Sequence, residues 1–292
     1  MRGSGRGWAF IDLADLGRNS ARGYAAVAAR IVVYPLAVAT LLGLLVAAAT
    51  LIGRPPDWLD PLVGIVTRYG LIIVAGAAVL RGVVRSHRRP WRSLIGADSR
   101  IDMRRLAIGA AVELLILGGQ LALVHAMTGW PWRFVLPDAL PLVLFALALL
   151  PLQAASEEIL FRGYLTQALG RLVRSRGVIA LVVGLAFGAL HLNAYGPLTV
   201  PYFLVLSLVF SLVSLRDGRL ELAIGGHAAM NFFAVATAGF SPLAPAIIGL
   251  DRGAIAFNWA AIVVLVVNGA LFYAMTRLLV LLVCERRAAP CS

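Results

Sequence analysis

The chain has 292 residues, 61% of them hydrophobic and only 14% charged, with a formal net charge of +12. A soluble domain is about 45–50% apolar and about 25% charged, so this composition excludes a large soluble domain, a disulfide-rich secreted module and a disordered tail. Its apolar residues are enough for about eight membrane spans of about 20 residues each. All 26 basic residues are Arg, which excludes a Schiff-base lysine and the lysine of a phosphate-binding loop.

Runs without charge mark the expected helices in chain order. Trp8–Leu16 mixes apolar residues with Asp12 and Asp15 and reads as a segment lying along a membrane surface. The first span is Ile31–Gly53, and the second, about Leu62–Val84, carries Arg68 and Arg81 near its ends, where Arg can snorkel. The stretch Arg85–Arg105 is a basic juxtamembrane segment, read as a topology determinant in contact with anionic lipid and not as a nucleic-acid site. The third span, about Leu106–Met127, carries Glu113 and Gln120; Glu113 is expected to pair with a juxtamembrane Arg. The fourth starts near Ala139 and runs on through Glu157 and Glu158. Gly177–Leu215 has no fixed charge and is too long for one span, and the turn residues of Asn193–Pro201 divide it in two. The seventh and eighth cover about Leu222–Gly239 and Ala254–Val283.

The loops orient these spans. With the N-terminus inside, eighteen Arg fall on inner segments and three, Arg54, Arg133 and Arg252, on outer loops. Cytoplasmic loops carry the excess of basic residues, so both termini are expected in the cytoplasm. Cys284 and Cys291 form neither a disulfide framework nor a thiolate zinc site. With Cys291 next to last, the C-terminus does not read as a prenylation box.

Polar groups inside a bilayer are costly and each needs a reason. Glu158 and Arg162 are four residues apart, on one helical face and able to pair. Glu157 is rotated about 100° from Glu158 and is left without that partner. His191 follows Phe187 by four residues, and Asn231 follows His227 by four. His227 and Asn231 share a face and can supply two donors to one point, which is what an oxyanion requires. A carboxylate and an imidazole converging on one water make a nucleophile. His and Glu donors also suit a catalytic zinc ion. No HExxH, GxSxG or glycine-rich phosphate loop competes with this reading.

The order EExxxR, FxxxH, HxxxN on successive helices resembles the CAAX protease and bacteriocin-processing family, intramembrane endopeptidases that include the type II CAAX prenyl endopeptidases. The resemblance covers about Leu140–Phe233 and extends to the wording ILFRGYL and LAFGALHL; the upstream WRSLIGADSR fits more loosely. It implies that Glu157 is the general base, acting with His191 on the attacking water. It also implies that His227 and Asn231 stabilise the oxyanion, and that Glu158 and Arg162 hold the site. It leaves two routes open, a zinc ion held by Glu157, His191 and His227, or metal-free glutamate catalysis. Bacterial members are linked to peptide maturation, bacteriocin self-immunity and regulation of membrane proteins.

The expectation is therefore an all-α polytopic helix bundle of about eight transmembrane helices in the plasma (inner) membrane. Residues 1–30 form an interfacial segment, 31–284 the transmembrane domain with a motif-bearing core at about 139–240, and 285–292 a cytoplasmic tail. The expected partners are the bilayer and a protein or peptide substrate, with no nucleic acid. Two other functions compete, a non-catalytic adaptor or bacteriocin-immunity protein that keeps the motifs as structure, and a proton-coupled transporter.

Overall fold

In lipid the backbone must satisfy its own hydrogen bonds, so each apolar run of this sequence has to become a helix. A computed structural model describes residues 6–53, 63–64, 66–98, 100–129, 136–192, 199–238 and 259–285. Among the described residues there is no strand, only an isolated bridge between Gly96 and Arg219. A short α1 (Arg6–Ile11) is followed by α2 (Ala21–Ile52), α3 (Leu71–Arg85), α4 (Met103–Thr128) and α5 (Leu136–Glu158). Then come α6 (Thr166–Leu169), α7 (Arg176–Ala189), α8 (Thr199–Asp217), α9 (Glu221–Ala238) and α10 (Trp259–Val280).

Apart from α1 and α6, these helices coincide with the eight charge-poor segments of the sequence. Four of them, α2, α4, α8 and the rod that α10 begins, are each long and apolar enough to cross a membrane. Helix α7 has 14 residues, fewer than the about 20 a perpendicular span takes. The break expected over Asn193–Pro201 falls mostly on 193–198, outside the described residues. Helix has resumed by Thr199, with Pro201 in the first turn of α8, where its missing N–H costs nothing.

Local chemistry fixes several ends. Ser20 accepts from the Gly23 amide to cap α2, and Asp102 accepts from the Arg104 and Arg105 amides to cap α4. Gly129 closes α4 in the left-handed region at φ 67°. Gly218, at φ 73°, makes the tight reversal from α8 into α9.

Helix α9 is the centre of the packing, against α4 on one side and α5 on the other, while α8 packs on α7 and α10. Small residues set the α4–α9 approach. A Cβ on Gly109 would run into the Leu222 carbonyl, and one on Gly225 into that of Leu106. Across the α3–α5 contact, a Cβ on Gly76 would lie 2.5 Å from Ser156 Cβ. Lipid supplies no hydrophobic drive between helices, so close backbone approach of this kind does much of the work.

The Arg-rich end is a folded cap. Trp8–Leu16 packs on the helices through Phe10, Ile11 and Ala14, which are buried in the protein. Asp12 and Asp15 pair with Arg174 and Arg171. Within Arg85–Arg105, Arg85, Arg88, Arg92, Arg100 and Arg104 are exposed. Arg89 is buried and donates to the Leu13 carbonyl (2.9 Å) and to Gln167 Oε1 (2.8 Å). Burial pulls its guanidinium down to about 10, so it stays charged at neutral pH. His87 Nδ1 lies 2.8 Å from the Arg18 carbonyl and Nε2 lies 3.1 Å from the Tyr164 hydroxyl. Burial lowers the His87 pKa; the neutral ring then donates from Nδ1 and accepts at Nε2.

Candidate active site

The last two turns of α5 bring Gln153, Glu157 and Glu158 inward. The rod then continues without a break as a π-helix over Ile159–Leu165, which carries Arg162, and ends in α6. π-Segments inside α-helices occur often at functional sites. This one presses on its neighbours: a Cβ on Gly163 would sit 2.9 Å from the Leu94 carbonyl oxygen. His227 is the seventh residue of α9, about 9 Å from the Arg-rich end at 1.5 Å per residue. His191 stands just beyond the end of α7.

The six motif residues meet, and their connections run further than helix spacing alone suggests. Glu158 Oε1 accepts from Arg162 Nη1 at 3.0 Å and lies 2.7 Å from His227 Nδ1. Glu158 and Arg162 are almost fully buried, at 0% and 1% side-chain exposure. The guanidinium sits over the Phe187 ring at 4.5 Å and the Phe210 ring at 5.8 Å. Glu158 Oε2 and Arg162 Nε and Nη2 have no partner among the described residues.

Glu157 is not left on its own, as its rotation about the helix suggested. Its Oε2 faces His227 Nε2 at 3.4 Å, and its Oε1 accepts from Gln153 Nε2 at 2.6 Å. Neighbouring residues on a helix cannot share a face, yet an imidazole has nitrogens on two edges. His227 therefore reaches both carboxylates from α9. Glu157 is also the more accessible carboxylate, at 12% side-chain exposure.

His191 joins through its ring. It stacks on Phe203 at 3.7 Å between centroids, and its Nδ1 is held 2.8 Å from the Phe187 carbonyl. Glu157 and His227 are within its electrostatic reach. Phe210 lies against the His227 ring at 5.5 Å. Asn231 does not touch Glu157 directly; its Nδ2 donates to Gln153 Oε1 at 2.8 Å.

Gln153 is the residue the motifs missed. It bridges Glu157 and Asn231, and so joins α5 to α9 a second time. Its signal in the sequence is a carboxamide within an otherwise apolar run, one turn before Glu157. Because the carboxamide orients groups on both sides, Gln153→Ala should lower kcat more than it raises KM, by about tenfold or more for loss of a hydrogen bond to a charged group. Steady-state kinetics with a peptide substrate reads this; unchanged kcat would reduce Gln153 to packing.

A zinc ion needs its donors about 2.0–2.2 Å from a single point. Among the described residues, no group of three or more His, Cys, Asp or Glu side chains is placed to hold a metal ion. His227 turns both nitrogens to carboxylates, and His191 turns Nδ1 to a carbonyl. Glu157, His191 and His227 do not form a metal centre in this arrangement.

Comparison with known proteins adds three findings. A family model, type II CAAX prenyl endopeptidase Rce1-like, matches residues 139–233. An uncharacterized protein of Bacillus subtilis, YyaK, is 31% identical over 182 residues, which is 60% of this chain. The chain spans 61% of the length of that curated relative. No solved structure matches. The matched residues hold the EExxxR, FxxxH and HxxxN motifs, and with them the whole hydrogen-bonded cluster just described. Residues 139–233 of this multi-pass membrane protein thus match the domain of the Rce1-like type II CAAX prenyl endopeptidase family.

Proposed function

We propose that the protein is an intramembrane endopeptidase that hydrolyses a peptide bond of a membrane-associated protein or peptide. One observation carries this reading. In a chain that is only 14% charged, two carboxylates, an imidazole, a guanidinium and two carboxamides form one connected cluster inside the helix bundle.

Glu157 is the general base. It is the carboxylate with residual access; Gln153 holds one of its oxygens, and the other, 3.4 Å from His227 Nε2, has a further lone pair for a water's proton. His191 lies beside it and orders that water from the second side. The water oxygen attacks the substrate carbonyl carbon as Glu157 takes the proton. The carbonyl oxygen then carries the negative charge. Asn231 retains one N–H beyond the one given to Gln153 and supplies it to this oxyanion, with His227 as the second donor when Nε2 bears a proton. The C–N bond breaks as Glu157 returns its proton to the leaving amine. Glu158 and Arg162 fix the His227 ring from Nδ1 and do not touch the substrate.

The expected architecture belongs to the same reading. Eight helices cross the plasma (inner) membrane, with residues 1–30 and 285–292 on the cytoplasmic side and 31–284 as the membrane domain. The eighteen-to-three distribution of Arg and the position of the cluster toward the Arg-rich end support it. Substrates then enter from the cytoplasmic half of the bilayer.

The test is cleavage of a lipid-anchored reporter peptide by the purified full chain in nanodiscs, followed by mass spectrometry. Wild type is expected to release two fragments and His191→Ala none. Equal cleavage by both proteins would overturn the site.

A further inference from the structure

A cavity of about 340 Å³ shares the Phe210 ring with the cluster, where that ring lies against His227. Helices α4, α8 and α10 form its walls, with Met230 from α9. None of the six motif residues lines it. Its polar groups are Glu113, Gln120, Tyr202 and Asn268, and the rest of its surface is apolar.

Glu113 is the anomaly in this wall. It is 8% exposed and, among the described residues, no hydrogen-bond or ion-pair partner touches it; the juxtamembrane Arg expected beside it is absent. Helix geometry explains the miss. Glu113 follows Arg104 and Arg105 by more than two turns, and Arg105 is taken by Asp102 and Asp217 at the Arg-rich end. The group that Glu113 does face is Tyr202. An ionised carboxylate in an apolar wall without a counter-charge is costly. Yet no Arg and no His lines the cavity, although the chain has 26 Arg.

The remaining polar wall can both accept and donate. Gln120 and Asn268 pair reciprocally, Nε2 to Oδ1 at 2.6 Å and Nδ2 to Oε1 at 3.1 Å. Each amide oxygen keeps a second lone pair and each amide nitrogen a second N–H. Gln120 is seven residues from Glu113, on the same face of α4 and about 10 Å along it. The outer wall includes Leu123 and Val264, which are 60% and 46% exposed on a surface that lipid covers. The opening therefore faces the bilayer. Its volume is near the lower end of the about 300–1,000 Å³ usual for small-molecule sites.

We propose that this cavity binds a single-chain amphiphile with a primary ammonium head, with Glu113 as its counter-charge. The positive charge of an ammonium supplies what Glu113 lacks, and its three donors can reach that carboxylate and the free lone pairs of Gln120 and Asn268. The alkyl chain takes the apolar surface and reaches the cavity through the lipid. An anionic or phosphate-bearing head would face a carboxylate with no basic residue to receive it. The inference does not rest on the proteolytic reading, and a Glu157→Gln protein keeps the site.

The experiment titrates dodecylamine, dodecanol and dodecanoic acid against the full chain in nanodiscs and reads the thermal unfolding midpoint. Dodecylamine is expected to raise it saturably, and the alcohol and the acid not to. Glu113→Gln should weaken the amine by about tenfold or more, the usual worth of a charge-assisted hydrogen bond. Ala261→Trp, which fills the cavity from its lipid side and leaves Glu113 in place, should abolish the response. Amine binding that survives Glu113→Gln unchanged, or an alcohol or acid that binds as tightly, overturns the proposal. The Glu157→Gln protein should respond as wild type does, so failure of the protease reading is seen separately.

Discussion

Glu157→Gln should remove peptide hydrolysis and leave the fold in place. The carboxamide is nearly isosteric and still accepts from Gln153 Nε2, so the α5–α9 bridge survives. What it loses is the ability to take a proton from water. A positioned acid–base group contributes about 10²–10⁴ in rate, so kcat should fall by at least that range while the unfolding midpoint stays near that of wild type. The difference between the two carboxylates is the point of the comparison. Glu157 has residual exposure and one oxygen held by an amide, whereas Glu158 is sealed between Arg162 and His227. Reporter cleavage together with a thermal melt measures both quantities. Full activity in Glu157→Gln would remove Glu157 as the base.

The second large effect is on stability. Arg162→Ala leaves Glu158 at 0% exposure with only His227 beside it, and removes a cation from between two aromatic rings. Breaking one partner of a buried ion pair costs about 3–5 kcal/mol, because the other charge stays uncompensated. Removing both charges is different. Glu158→Gln with Arg162→Met should cost clearly less than the sum of the two single changes, as expected when an ion pair is replaced by groups of similar volume. Unfolding in mixed micelles over a denaturant series reads all four proteins of this cycle. Additive losses would mean that Glu158 and Arg162 act independently and that the 3.0 Å contact between them carries no coupling.

Much of the fold was legible because its cause is local. Charge-free runs must be helical where no water satisfies the backbone, and each of the eight runs contains a helix. Four-residue spacing paired Glu158 with Arg162 on one face before any packing was known. Polar residues in apolar runs drew attention to Glu157, His191, His227 and Asn231 for the same reason, the cost of placing them there. That rule also pointed to Glu113 and Gln120, and it applied equally to Gln153, whose role went unread for want of a motif around it.

What the sequence determined by itself is thus the membrane class, the helical segments, the sign of the charge on each loop and the identity of the costly polar residues. The tertiary structure alone decided who meets whom. Glu157 and Glu158 point in different directions from α5, yet both reach His227, because its ring bonds from two edges and α9 lies close beside α5. The same packing docks the N-terminal segment into the Arg-rich cap and leaves Glu113 facing a cavity instead of an arginine. Helix spacing repeats every few residues and can be read along the chain. Contacts between helices depend on small residues such as Gly109 and Gly225, which let two backbones touch, and on which rotation each helix takes when they do.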